Sequence, residues 1–402
     1  MEVTAITAEY NPFHNGHAYH VARTKELTGG HPVMAVMSGN FVQRGEPAIL
    51  SKRDRARAAL LNGVDLVVEL PVPWATAGAE RFARGAVYLA AQSGVVSELS
   101  FGCESADTQR MERLAIVLSD PVWDREIRLV YNRDGCSYAQ ARQLVAQRVL
   151  GEDVNDLLTK PDNILATEYI KAIRRFDRRI RPLAVARQGA DHDAEALRGR
   201  VASGMAIRTA VAKGRAIDDF VPADTARALK DAAKAGLGPV FTSDMDRCVL
   251  SYLRRLQPEA LRDVPDVSEG IENRIIQAAR EAVSLPEVFD LVKTKRYTHS
   301  RIRRIILNGY LGITKADVDV TPPYLRVLGF NETGREILAE INRAHHFPVV
   351  TKHADLRRLD RFANRVFALE SGAQDLYYLA TKTVRPCGTD MTDDLVIVGK
   401  DG

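Results

Sequence analysis

The sequence predicts an α/β protein: a doubly wound parallel sheet in the first part of the chain, followed by a mainly α-helical C-terminal domain. Three observations carry this expectation. Short apolar runs alternate with amphipathic segments through the first hundred residues, a pattern that builds parallel sheets. The first run passes straight into a turn that opens a helix. Beyond residue 220 the periodicity becomes almost wholly helical.

In order, residues 3–8 read as a strand and 17–27 as a helix, then 32–37 as a strand and 52–61 as a helix. Residues 65–70 form a third strand, 79–91 a helix and 98–102 a short fourth strand. From 107 to 178 the chain is mostly helical, broken at Thr159-Lys-Pro-Asp-Asn163. A strand over 180–187, a stretch rich in Gly, Asp and His, and a helix over 205–212 close a domain expected to span 1–220. The second domain, 221–402, reads as helices near 221–235, 244–255, 269–284, 298–308, 333–343 and 360–369. Small strands are expected at 323–329 and 347–351.

Hydrophobic residues make up 46% and charged residues 27% of 402, the proportions of a soluble globular chain able to bury a core. The first residues lack the basic start and long apolar core of a signal peptide, and no run approaches the ~18 apolar residues of a membrane span. Cys103, Cys136, Cys248 and Cys387 are far apart and form no Cys-x-x-Cys pair. A cytoplasmic location follows as the expectation, and no metal site is predicted. Net charge is only +4, yet basic residues cluster at 171–181, 293–304 and 357–365. Such clusters suit either a phosphate backbone or a solvated helix face.

The chemistry-bearing segment is Thr7-Ala8-Glu9-Tyr10-Asn11-Pro12-Phe13-His14-Asn15-Gly16-His17-Ala18-Tyr19-His20. Pro12 ends the strand, Gly16 admits close backbone approach, and the helix start offers free amides and partial positive charge to phosphates. His14 and His17 can face one ligand and donate hydrogen bonds to phosphates as charge builds in the transition state. They are the candidate catalytic pair, and residues 7–20 the candidate ATP segment.

His14-Asn-Gly-His17 resembles the His-x-Gly-His signature of the nucleotidyltransferase superfamily, which includes cytidylyltransferases and class I aminoacyl-tRNA synthetases. The longer run from Glu9 to His17, with Met37-Ser-Gly-Asn-Phe-Val-Gln-Arg-Gly-Glu-Pro47, closely resembles the bacterial tRNA(Met) cytidine acetate ligases. Asp65-Leu-Val-Val-Glu-Leu-Pro71, Pro161-Asp-Asn-Ile-Leu165 and Lys293-Thr-Lys-Arg-Tyr-Thr298 extend that resemblance over most of the chain.

The resemblance implies a Rossmann-like nucleotidyltransferase fold and use of ATP and acetate to form acetyl-adenylate, releasing pyrophosphate. It further implies acetyl transfer to N4 of the wobble cytidine of elongator tRNA(Met), with Mg2+ expected beside ATP. Gly102, Asn163 and Arg187 match family positions that contact the nucleotide. Ser203-Gly-Met-Ala-Ile-Arg208 occupies the place of a Ser-x-Thr-x-x-Arg-like phosphate motif. Gly204-Met205 departs from that pattern, whereas Ser203 and Arg208 remain.

Ser38, Gly39, Asn40 and Arg44 follow the second strand and form the candidate substrate loop, with Gln43, Glu46 and Lys52 nearby. Acetate binding, cytidine binding and loop structure all remain open for them. Lys295, Arg296 and Arg301, around Tyr297, are the candidate tRNA contacts. Two other classes stay open from sequence: a nucleotidyltransferase acting on a small phosphorylated metabolite, and a non-catalytic RNA-binding protein.

Overall fold

A computed structural model of the chain describes residues 1–399 apart from 106, 137, 152–153, 188–200, 295 and 345–346. The Gly-, Asp- and His-rich stretch after Arg187, and Lys295, therefore lie wholly or largely outside the described residues.

The strands are β1 (Val3–Ala8), β2 (Val33–Ser38), β3 (Phe41–Val42), β4 (Glu46–Pro47), β5 (Leu66–Leu70), β6 (Val96–Cys103), β7 (Arg181–Ala186), β8 (Leu325–Phe330), β9 (Val349–Val350) and β10 (Val396–Ile397). The main sheet runs β10-β8-β5-β2-β1-β6-β7, with β9 beside β8. Its first five strands pair in parallel in the spatial order β5-β2-β1-β6-β7. The strand order reverses at β1, and the crevice between the carboxyl ends of β1 and β6 is where such sheets take ligands.

Alternation along the strands explains the two-sided burial. Val3, Ala5, Met34, Val36, Leu66 and Val68 enter one core, under the helices Ala79–Gln92 and Pro161–Phe176. Ile6, Ala8, Val33, Ala35, Met37 and Val67 enter the other, under Asn15–Leu27 and Lys52–Leu61. Each such large aliphatic side chain stabilises the fold by ~1.5–3 kcal/mol. A third core belongs to the helical layer, where Val249, Ile275, Ile305 and Tyr377 pack together and receive Phe41 and Val72 from the first part of the chain.

The segment after residue 220 is mainly helical as expected, but it also completes the sheet. β8 pairs antiparallel with β5, while β9 and β10 flank β8 in parallel. The sequence predicts small strands at 323–329 and 347–351 without their partner, because strand pairing across more than 250 residues leaves no local signal. It also passed over the β3–β4 hairpin, the helix Leu285–Val292 and β10.

A buried ionic cluster fixes this junction. Lys52 Nζ donates to Glu69 on β5 at 2.9 and 3.0 Å and to Asp390 at 3.1 Å. Arg326 on β8 donates to Asp390 at 2.7 Å and lies 3.2 Å from Glu69. Tyr324 donates to Glu370, which lies 3.7 Å from Arg326. Burial alone would raise the Asp390 carboxyl, but Lys52 and Arg326 outweigh it and hold that group well below the usual range. Burial, then the Glu69 carboxylate, push Glu370 up to about 8. Lys52 and Arg326 thus face the Asp390 and Glu69 carboxylates, and burial favours the protonated form of Glu370.

Replacing Arg326 with Met leaves Asp390 and Glu69 short of a buried counter-charge and is expected to cost ~3–5 kcal/mol, read as a lowered urea midpoint. Glu370 gives the fold a pH signature. Because its folded-state value exceeds that of an unfolded Glu, its stabilisation is complete below about pH 4.3 and is lost as pH rises through 8. The melting temperature should therefore fall between about pH 4.5 and pH 8, and Glu370→Gln should flatten that decline. A variant whose decline matches the parent's would exclude Glu370 as the titrating group.

Candidate active site

The turn after β1 is unusual from its first residue. Tyr10 adopts a left-handed backbone (φ 47°), and the Asn11–Pro12 peptide is cis. Phe13 is fully buried, and Tyr10, Phe13 and His17 form a tilted aromatic group with centroids 4.8–5.6 Å apart. His14 is the N-cap of the helix Asn15–Leu27. Its Nδ1 accepts from the Gly16 amide at 3.1 Å, and His17 Nδ1 accepts from the His14 amide at 3.3 Å. The rings stack at 3.7 Å. With both Nδ1 atoms acting as acceptors, each neutral ring carries its proton on Nε2. Two oriented N–H donors result, at a helix start whose dipole favours negative charge.

A cavity of about 240 Å3 opens at this edge of the sheet. Thr7, Ala8, Glu9, Tyr10, Asn11, His14, Gly16, His17, Tyr19 and His20 line one side of it. Gly102, at the end of β6, and Arg187, just after β7, line the other, and Arg44 and Arg208 reach it from the hairpin and from the helix Gly204–Ala212. Residues scattered over 200 positions in the sequence thus line one cavity.

Several expected residues stand elsewhere. Pro12, Phe13, Asn15 and Ala18 lie behind the turn; Asn15 donates to the Asp219 carbonyl at 2.9 Å. Asn163 is fully buried: its Oδ1 accepts from the Glu104 and Ser105 amides, each at 3.1 Å, and its Nδ2 donates to the Asp156 carbonyl at 3.0 Å. It braces the loop after β6. Ser203 caps its helix by accepting from the Ala206 amide at 3.0 Å. Gly204 explains the departure in that motif, since a Cβ there would sit 3.1 Å from the Asn11 carbonyl oxygen.

Ser38, Gly39 and Asn40 also lie behind the wall. Arg55, fully buried, donates to the backbone carbonyls of Ser38 at 3.1 Å, of Leu50 at 3.1 Å, and of Glu9 and Gly39. Burial lowers its guanidinium to about 10, so it stays charged at neutral pH. Asn40 Oδ1 accepts from the Lys52 amide at 2.7 Å. Lys52 itself is committed to the ionic cluster.

Three groups tune the wall. His20 is lowered to about 4 by burial and by nearby Arg187, so it is neutral, 2.9 Å from the Ser100 hydroxyl. Burial raises Glu9, which accepts from the Gln43 amide at 2.7 Å. Arg208 donates to the Asn11 carbonyl at 2.8 Å and to Glu46 at 2.9 Å. Sequence reasoning missed Asp162, Leu165 and Tyr169, which line the cavity from one face of the helix Pro161–Phe176. Their i, i+3, i+7 spacing was the available signal. Asp162 pairs with Arg187.

Around the expected tRNA contacts, Arg296 pairs with Glu269 at 3.1 Å. Arg301 donates to the Asp266 carbonyl at 2.9 Å and lies over the Tyr297 ring at 4.3 Å. Tyr297 is buried and donates to the Ser268 carbonyl at 2.5 Å.

A switch-point cavity with a His-x-Gly-His turn at a helix start defines the nucleotidyltransferase class, and a family model described as HIGH Nucleotidyl Transferase matches residues 1–390. The tRNA(Met) cytidine acetate ligase of Caldanaerobacter subterraneus subsp. tengcongensis is 42% identical over 389 residues, 95% of this chain and 96% of its own. That of Thermoanaerobacter sp. (strain X514) is 39% identical over 404 residues, 98% and 100%. The crystal structure of Thermotoga maritima TmcAL bound with alpha-thio ATP superposes over all of both chains, with a TM-score of 0.93 and 33% identity. The chain belongs to the tRNA(Met) cytidine acetate ligase family.

Arg55 touches no cavity wall directly, yet it holds the loops that do. Arg55→Lys removes the planar fork and is expected to weaken ATP binding about tenfold in calorimetry. Unchanged affinity would show that the grip on Glu9 and Gly39 is not transmitted to the site.

Proposed function

We propose that this protein is an ATP-dependent tRNA(Met) cytidine acetate ligase. The acetate carboxylate oxygen attacks the α-phosphorus of ATP, forming acetyl-adenylate as the bond to pyrophosphate breaks. The N4 amine of the wobble cytidine in elongator tRNA(Met) then attacks the acetyl carbon. A C–N bond forms, the bond to AMP breaks, and the amine loses a proton. The observation that carries the reading is the His14–His17 pair, with both Nδ1 atoms acting as acceptors, on the wall of the switch-point cavity. The Nε2 donors fit the phosphate oxygens that gain charge during adenylation.

ATP is the substrate this cavity suits. Its aromatic and apolar side, with Phe101, Gly102, Leu165 and Tyr169, suits a flat base, and the His14–His17 end suits the triphosphate. Mg2+ would come with the triphosphate, where it neutralises charge. Glu9, Glu46 and Asp162 are already engaged by the Gln43 amide, Arg208 and Arg187, so phosphate oxygens and water fit better as its ligands than a protein cage. Arg44, on the hairpin turn, is placed to neutralise phosphate and to keep water from the adenylate. No helix among the described residues is long and apolar enough to cross a membrane.

His17→Ala should cut acetate-dependent pyrophosphate release by about 10²- to 10³-fold with little loss of melting temperature. Release at the parent rate would remove His17 from the mechanism. Mass spectrometry of tRNA(Met) incubated with the enzyme, ATP and acetate tests the acceptor, an N4-acetylated wobble cytidine being the expected product.

A further inference from the structure

Three arginines on helices that adjoin the cavity's framing elements are not used by the adenylation site. Arg84 lies on the helix Ala79–Gln92, and Arg303 and Arg304 on the helix His299–Tyr310. The Nε atoms of all three are buried with no hydrogen-bond partner among the described residues, and Arg84 and Arg304 form no ion pair there. Arg303 has only Glu46, 3.9 Å away, and the Phe289 ring at 5.4 Å. Burial lowers both Arg84 and Arg304; Arg175 and Arg81 add to it at Arg84 against Glu80 and Asp319, and at Arg304 Asp266 opposes it while Arg301 adds to it, none of these carboxylates reaching ion-pair distance of Arg84 or Arg304. Arg84 and Arg304, half-buried with no carboxylate at ion-pair distance among the described residues, are costly to hold unless an anion joins them.

The position of this group is specific. Gly45 turns the β3–β4 hairpin with φ 74°, and a Cβ there would lie 2.6 Å from the Arg304 amide nitrogen. The hairpin that carries Gln43 and Arg44 to the cavity therefore rests on the Arg303–Arg304 backbone. On the other side, a Cβ at Gly78 would lie 4.0 Å from Arg304 Nη2, and Gly78 opens the helix whose Phe82 lines the cavity. Arg81, one turn before Arg84, is already paired with Asp266 at 3.0 Å. Arg304 thus sits between two elements of the mouth, while Arg84, Arg303 and Arg304 stay off the cavity wall.

We propose that Arg84, Arg303 and Arg304 form a phosphodiester-binding ridge that seats the RNA backbone flanking the base presented to the cavity. The inference rests on the proposed tRNA acceptor and assigns where that acceptor is held. Cations spread over two helices fit successive phosphates of a polynucleotide better than one compact triphosphate. Arg296 and Arg301, the contacts expected from sequence, are already engaged within the helical layer.

The test measures affinity for unmodified tRNA(Met) transcript across a potassium chloride series, using the full chain with Arg84→Gln and Arg304→Gln combined. Affinity should fall about tenfold or more, and the slope of log K against log salt should become shallower by about 1 to 2. Pyrophosphate release from ATP and acetate without tRNA should stay at the parent rate, which also reports correct folding. The Arg84→Lys and Arg304→Lys pair should recover most of the affinity. Parental affinity and slope in the Gln pair would overturn the ridge, the more so if Arg296→Gln alone weakened binding. Equal loss of pyrophosphate release and tRNA affinity would also overturn it, by making these residues supports of the site. If the parent chain bound tRNA(Met) but released no pyrophosphate with acetate, the proposed reaction would fail and the ridge comparison would still stand.

Discussion

Arg55 donates to the carbonyls of Glu9, Ser38, Gly39 and Leu50 from a position with no exposure, and the geometry of the site depends on that grip. At the carboxyl edge of a parallel sheet the chain leaves β1 and β2 in diverging loops, whose carbonyls no longer have strand partners. Buried carbonyls without donors are expensive, and so is a buried guanidinium without acceptors. Placing one against the other satisfies both. The Arg55 interaction also fixes the spacing between the β1 turn, which bears Tyr10, His14 and His17, and the loop leading to the hairpin. A Lys at that position has a single point of attachment and cannot bridge three loops at once.

The same helix joins the site to the distant end of the chain. Lys52 and Arg55 lie three residues apart on Lys52–Leu61, so both enter the protein from its first turn. Lys52 faces the ionic cluster with Glu69, Arg326 and Asp390; Arg55 faces the active-site loops. The strands and helices from Leu325 onward therefore help to set the seating of the helix that holds the β1 turn. The antiparallel addition of β8 is thereby linked to the seating of the candidate site. A cluster of like size made of apolar groups would fill the volume, but it would not fix the direction of Lys52.

The alternation of strands and helices up to residue 103 was legible in the sequence because period-two burial on both sheet faces leaves near-continuous apolar runs. β8 was legible as a strand, though not as a partner of β5, since register across such a distance is decided by packing. The two-residue strands of the hairpin were too short to show any period. The residues of 7–20 share one turn, and most of them reach the cavity together. Asn163, Ser203 and Asn40 are residue types that serve equally as ligand contacts and as caps, and in this chain their polar atoms hold backbone amides. Buried charges were the least legible feature. Lys52 and Arg55 sit in a run, Lys-Arg-Asp-Arg-Ala-Arg57, that reads as a solvated helix start, and only their three-dimensional partners reveal otherwise.

Charge at the mouth is arranged in two tiers. Inside, His14 and His17 each accept a backbone amide at Nδ1, which directs Nε2–H to the other side of the ring, and Arg208 and Arg187 are each tied to a carboxylate. Positive charge in the cavity is thereby held in check until phosphates enter, which limits the desolvation cost of the empty site. Outside, Arg84 and Arg304 have no such partner among the described residues. A cavity of about 240 Å3 has no room for a folded RNA, so in the proposed reaction only the acceptor base approaches the adenylate. In that reaction the backbone on either side of that base would lie against the rim, near Arg84 and Arg304. In the proposed reaction, ring donors within and rim arginines without a close carboxylate would let one edge of the sheet serve a buried triphosphate and an external polyanion without either competing for the other's contacts.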